Sequence, residues 1–559
     1  MSFSMPKEVD LLKPFNRTKF NELMPILFNE VNLDTAFTLF FEKCIRKGHV
    51  AKKLSTKDFL EGEFNFHECL VPKLSTNENI VNFDSELGQS ILSNWLQASI
   101  VEFVPLRRDK SILIPDLLKL LTVATYRARL PRSNNSSSAR GIDGTVYGVL
   151  INHLRKIGSS KPEADIQALL MKTSISKGID FEEYDVPWKE PKYNGRDILD
   201  ITTMLELRLL EHFNETESKY AGDEIELTLA KPLRMLAQDF LDITNSFGEI
   251  SSDDLLAMYK SVFCLRLYQL PIHLAIVLDL IRSGDDQACD YSHQMFVDFS
   301  GKRGSISFDM GQKSAMSDLQ TASSLINSLV FLLTAKTFRT SKSNSRNRNS
   351  ANKYLTVEDV KELLAFASSD IASITASSYL DIIQDHFNSL EDKSALAFIE
   401  EVVSQANSKF EAFVSLIVAD LGRRSRDGYR KWFKNVGGVE LARITDTVAL
   451  LSGAEKTKSW GYSMTDRMLE SLIDLCFVDT KGNRLYGALD LEDLLKRMKE
   501  RFGVLINEIP PEEENIEAGI AANFNLQEFK TRLRQLGRFE SLSDEFEAQY
   551  VKSPFRRSE

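Results

Sequence analysis

Apolar residues return at spacings of three and four along most of this chain, and that rhythm constrains the fold more than any other feature. From Asn32 to Arg46, residues Leu33, Phe37, Phe40, Phe41 and Cys44 fall on one helical face. Asp34 is placed to cap the start, and Gly48 follows a basic last turn of Lys43, Arg46 and Lys47, as a helix end requires. The same rhythm predicts helices over 86–101, 115–129, 197–212, 231–245, 252–268, 317–338, 356–367, 377–389, 394–420, 439–451, 464–477 and 490–502. Strand-like alternation is sparse, and no fixed period marks a solenoid. The expected fold class is mainly α and multi-helical, with a small C-terminal α+β unit.

At 559 residues the chain exceeds one ordinary core. The predicted division is an N-terminal helical domain over 1–130, a loop-rich connecting region over 131–196 and a central helical domain over 197–338. A basic flexible loop over 339–353 follows, then a second helical domain over 354–460 and a C-terminal α+β domain over 461–559. Polar turn residues from Pro131 to Gly144 and prolines among aromatics from Asp180 to Gly195 mark the connecting region. Gly301 to Gln312 reads as a short hairpin or loop.

Five scattered cysteines without a C-x-x-C pair indicate free thiols in a reducing compartment. The start of the sequence has no apolar stretch after a basic region. The most apolar runs, at 271–281 and 325–334, fall short of the roughly 20 residues of a spanning helix. The expectation is a cytoplasmic chain with no membrane contact. His67-Glu-Cys69 and Cys289 with His293 lack a second ligand pair at a zinc spacing. Gly301-Lys-Arg-Gly304 lacks the order of a phosphate-binding loop, and no nucleophile elbow is present. No catalytic residue, metal ligand or cofactor is assigned, and a nuclease site of long spacing stays open.

Positive charge gathers in two places despite a net charge of −11. Residues 423–434 carry Arg423, Arg424, Arg426, Arg430, Lys431 and Lys434 against the single acid Asp427, interleaved with Tyr429, Trp432 and Phe433. In a helix the aromatics cluster on one side and the cations on another. The cations suit a phosphate backbone, an acidic protein or plain solvent. The second place, 339–353, holds five cations, Arg346 and Arg348 among them, and no acid. Such an arm can follow phosphates without reading sequence or simply stay solvated.

The last hundred residues differ from the rest. A helix from Met464 to Phe477 leads into turn chemistry at Thr480-Lys-Gly-Asn483, then a basic amphipathic helix from Leu489 to Phe502 with Asp490 as N-cap and Gly503 at its end. A strand over 504–509, an acidic loop and a last helix near 526–536 follow. That order is compatible with a winged-helix unit.

Phe477-Val-Asp479, Leu489 to Leu495, Glu500-Arg-Phe-Gly503, Ile506 to Pro510 and Leu536 to Phe555 carry a resemblance. This region resembles the end of a large accessory subunit of bacterial methylation-associated anti-phage defence systems. The resemblance implies a protein acting beside a DNA methyltransferase and other subunits of a defence gene cassette. It transfers no site residue. The expectation is a non-catalytic subunit binding DNA or a DNA-bound partner complex, with Arg423, Arg424, Arg426, Arg430 and Lys431 as phosphate contacts and Arg346 and Arg348 as an arm. A purely protein-binding helical scaffold is the alternative, and an enzyme with an unrecognised site comes after it.

Overall fold

The computed structural model describes residues 3–555, apart from 7–8, 16–19, 52–70, 73, 78–80, 106–112, 119–138, 181–191, 198, 200, 211–217, 221, 286, 343–353, 439–446, 455–458, 510–514 and 542–548. Helices dominate, as the periodicity demands, and the strands are short. Helix α1 (Leu33–Ile45) is capped by Asn32, whose side chain accepts from the Thr35 N–H, and not by Asp34, which falls in the first turn. Helix α2 (Ile142–Lys156) and a helix over Pro162–Leu170 stand inside the stretch read as loop-rich. Pro162 at a first helical position explains the second start.

Helix α3 (Lys231–Phe247) leads into α4 (Ser252–Ser283), which begins at the Ser251 cap and ends at left-handed Gly284. Helix α4 packs against α3 and against three later helices: α5 (Ile306–Lys342), α6 (Lys409–Gly437) and α7 (Asp466–Cys476). Its length and apolar character would suffice to cross a membrane, but 94% of its most apolar window is buried inside the fold. Apolar burial on all sides is how a central core helix reads. Buried residues from Met5 to Val551 join in one connected core.

Several sequence expectations are corrected. Residues 113–118 form a strand paired antiparallel with Ile100–Pro105, where the helix expected over 115–129 would begin; 119–129 lie outside the described residues. The segment from Gly301 is a loop only as far as Ser305. Helix α5 starts at Ile306, with the Ser305 hydroxyl accepting from the Phe308 N–H, and runs through Lys342. Residues 339–342 are therefore helical, and the rest of the basic loop, with Arg346 and Arg348, lies outside the described residues. The single helix expected over 394–420 is two, Lys393–Gln405 and α6, because Ser408 caps a new start on the Glu411 N–H. Of the helix expected over 439–451, residues 439–446 lie outside the described residues, 447–450 are not helical, and Leu451 opens a strand, Leu451–Ala454, paired with Ser459–Tyr462.

The C-terminal unit is α+β. After α7 come β2 (Ala488–Asp490), α8 (Leu491–Phe502), β3 (Val504–Leu505), α9 (Ile516–Gln535), β4 (Phe539–Ser541) and β5 (Gln549–Lys552). Strand β5 lies between β2 and β4, antiparallel to both. Helix, strand, two helices and two strands, with the last strand central, is the winged-helix order. The turn chemistry at Thr480–Asn483 forms a turn closed by an isolated Val478–Arg484 bridge. Strand β3 stays out of that sheet and pairs parallel with β1 (Met295–Phe296). Gly503 permits this approach: its φ is +70°, and a Cβ there would sit 2.0 Å from the His293 carbonyl oxygen. The buried Asn525 of α9 locks the junction, donating to the Val297 and Ile506 carbonyls and accepting from the Phe299 N–H.

Candidate nucleic-acid interface

Helix α6 carries the basic segment, and its inner face explains why the cations point outward. Pro271 of α4 has no N–H, so the carbonyl of Leu267, four residues earlier, loses its helical donor. Trp432 Nε1 takes that carbonyl at 3.3 Å. Phe433 meets Tyr268 edge-on at 4.4 Å, and Phe28 stacks on Tyr429 and meets Trp432 edge-on. Tyr429, Trp432 and Phe433 are all buried. Aromatic burial of this extent makes the segment rigid and fixes its rotation.

A second strip of chain lies across the same helix. Gly428 lets the backbone at Phe28 come close, since a Cβ there would stand 3.0 Å from the Phe28 carbonyl oxygen. Asn435 donates to the Val31 carbonyl at 2.8 Å, and Lys431 pairs with Glu30 at 2.9 Å. Arg140 reaches the same place, donating to the Glu30 carbonyl at 2.6 Å. The hydrogen bond from Lys431, its charge, and those of Arg140 and Lys434 hold the Glu30 carboxyl below the ordinary range.

The outward face carries Arg423, Arg424, Arg426 and Lys431 exposed, with Arg430 and Lys434 half-buried. Arg424 pairs with Asp420 at 3.5 Å. Arg426 bonds only a carbonyl of its own helix, that of Gly422, and Arg430 lies over the Trp460 ring at 5.8 Å. Among the described residues Arg423, Arg426 and Arg430 have no carboxylate partner. From 423 to 434 the helix advances roughly 16 Å, the span of about five phosphates on one strand. The structure thus joins five of the seven sequence-assigned cations on one face; Arg346 and Arg348 lie outside the described residues. Arg140 was missed, its one sequence signal being a basic residue in a polar stretch some 290 positions away.

Three cations of α8 are engaged within the fold. On α8, Arg497 donates to the Cys476 carbonyl, Lys499 pairs with Glu508, and Arg501 joins Asp239 and Asp242. The arrangement nearest to catalytic chemistry is His293, whose Nε2 lies 2.9 Å from Asp318, with the Tyr462 hydroxyl donating to the same carboxylate. All three are buried, and they tie α5 to the flanking core. Burial pushes the thiols of Cys264 and Cys476 up to about 12, so neither is a ready nucleophile. Among the described residues no group of three or more His, Cys, Asp or Glu is arranged to hold a metal ion.

No curated protein matches this chain. The family described as methylation-associated defense system protein MAD7 matches residues 15–555, nearly the whole length and not the C-terminal part alone. The chain belongs to that family.

Proposed function

We propose that this chain is a non-catalytic subunit of its defence system that grips the phosphate backbone of DNA, bare or already carrying a partner, through the outward face of α6. One observation carries the reading: among the described residues Arg423, Arg426 and Arg430 stand without carboxylate partners, on a helix whose rotation is fixed by buried aromatics. The face carries Arg423, Arg424, Arg426, Arg430, Lys431 and Lys434 against Asp420, Asp427 and Glu30, a local excess of positive charge on an otherwise acidic chain. Helical backbone and planar guanidinium groups offer phosphate contacts and no base-edge code, so binding is expected to be sequence-independent. The non-catalytic part of the reading is supported by the histidines and thiols engaged in packing. Family membership supports further subunits of the system as partners, a DNA methyltransferase among them, and buried free thiols suit a cytoplasmic setting.

The test is binding of a fluorescent duplex by the purified protein and by the double variant Arg426→Glu, Arg430→Glu. Arg426 is exposed and Arg430 is half-buried over the Trp460 ring, so circular dichroism and the thermal midpoint check that the variant keeps its fold. Affinity is expected to fall roughly 100-fold, from two lost contacts and two new repulsions. Equal affinity for wild type and variant overturns the reading and leaves the protein-binding scaffold.

A further inference from the structure

A cavity of about 140 Å³ lies between the second half of α2 and the strip of chain that leads into α3. Close-packed protein interiors leave few voids larger than a water molecule. An engineered apolar cavity of about 150 Å³ takes up benzene. The space beside α2 is thus large enough for a guest of about six non-hydrogen atoms.

Its walls are of two kinds. Val149 of α2 and Ile225 and Leu227 of the strip are buried and apolar. Most of the polar groups are already committed to one another or to neighbours. Asn152 donates to Glu224 at 2.7 Å, His153 Nε2 lies 3.1 Å from Gln238 Oε1, and Lys156 pairs with Glu226. Two groups are not committed. The Thr228 hydroxyl oxygen is buried and has no hydrogen-bond partner among the described residues. Arg234, half-buried in the first turn of α3, spends Nη1 on the carbonyls of Leu227 and Thr228. Among the described residues its Nε and Nη2 have no partner, and no carboxylate stands within ion-pair distance of it. Burial holds this guanidinium below the ordinary arginine range against the opposing pull of Cys289, Asp290 and Glu226. A cation stripped of water in this way gains more from an anion than an exposed one does.

We infer that this cavity binds a small monocarboxylate, with its carboxylate on Arg234 and the Thr228 hydroxyl and its short apolar body against Val149, Ile225 and Leu227. Charge sets the class. Lys156 answers Glu226, so Arg234 is the one uncommitted cation on the walls and matches a single negative charge. A dianionic phosphate would carry a second charge into the cavity with nothing to meet it. The planar fork of a guanidinium also fits the two oxygens of a carboxylate. The site goes beyond the DNA contact proposed for α6, shares no residue with it and stands whether or not that contact exists.

The test is titration calorimetry on the full chain with three probes: isobutyrate, its uncharged analogue isobutyramide, and inorganic phosphate. The variants are Arg234→Met, Thr228→Val, which keeps the shape and removes the hydroxyl, and Val149→Phe, which fills the cavity; circular dichroism checks the fold of each. Isobutyrate is expected to bind with a Kd of about 1 mM or tighter, within reach of so few atoms. Isobutyramide and phosphate are expected to bind at least roughly tenfold more weakly, the worth of one charge-assisted contact. Arg234→Met and Val149→Phe are each expected to lose roughly tenfold or more for isobutyrate, and Thr228→Val several-fold. The Arg426→Glu, Arg430→Glu protein is expected to bind isobutyrate as wild type does. No saturable binding of isobutyrate, equal binding of the amide or of phosphate, full affinity in both Val149→Phe and Thr228→Val, or a loss in the α6 variant would each overturn the inference.

Discussion

Replacing Arg501 by methionine keeps most of the side-chain volume and deletes one guanidinium from the joint between α8 and α3. In the wild type that group donates twice to Asp239 Oδ1, at 2.8 and 3.1 Å, once to Asp242 Oδ2, and to the carbonyls of Leu475 and Val478. Asp239 keeps a second partner, Arg266 at 2.9 Å, and Asp242 keeps Gln238 at 2.8 Å. Burial already pushes the Asp242 carboxyl above its ordinary range while the Arg501 charge pulls it back. Removing one side of a buried pair costs about 3–5 kcal/mol, and the surviving partners place this case near about 3. Amide hydrogen exchange along α8 is expected to speed roughly 100-fold, the same energy expressed as an opening equilibrium. In a double-mutant cycle with Asp242→Asn the two effects are expected to couple by about 1 kcal/mol or more. Exchange changed less than about threefold, with additive effects in the cycle, would refute the joint's role.

Three further outcomes follow from the packing. Asn525→Leu strands the Phe299 N–H and the Val297 and Ile506 carbonyls, so urea unfolding is expected to report a loss of about 2–4 kcal/mol; a loss below about 1 contradicts the locking role. Burial, helped by Lys231 and Arg234, lowers the His273 imidazole to about 3. The unfolded chain then binds the extra proton, so stability is fully present above pH 6.5 and falls as pH drops toward 3; His273→Gln is expected to flatten that decline in pH-dependent denaturation. Asp474 acts the other way. Burial raises its carboxyl to about 7 against the pull of Arg538, so the folded state holds a proton the unfolded one releases, and stability falls as pH rises from about 4 to 7. Asp474→Asn is expected to remove that slope, and an unchanged slope would contradict it.

Helix existence was legible because burial of a stripe imposes its own period on the sequence, as in α1 and α8, whose Gly503 end was also read correctly. The start of α5 was not, because residues 306–316 mix serine, aspartate and glycine and depend on Ser305 and Asp298 for capping. The separation of aromatics from cations in α6 followed from helical geometry alone. Arg140 and Glu30 joined it through side-chain contacts that span hundreds of residues, and no local pattern encodes those. Strand β3 was visible as an apolar run, but its partner β1 was not, since parallel pairing across some 200 residues leaves no local signature. The first half of α9 escaped notice for a different reason: the last helix was expected near 526–536, and residues 516–525, with Gly519 and two asparagines among small residues, carry no strong helical signal although the helix begins at Ile516.

The most direct test of the account is the salt dependence of duplex binding. The logarithm of the association constant, plotted against the logarithm of salt concentration, is expected to fall with a slope near about −4 for wild type, from about 0.9 per neutralised phosphate, and to be shallower by about 2 in the Arg426→Glu, Arg430→Glu variant. A flat line for wild type, or equal slopes for the two proteins, would contradict the claim that the outward face of α6 holds DNA.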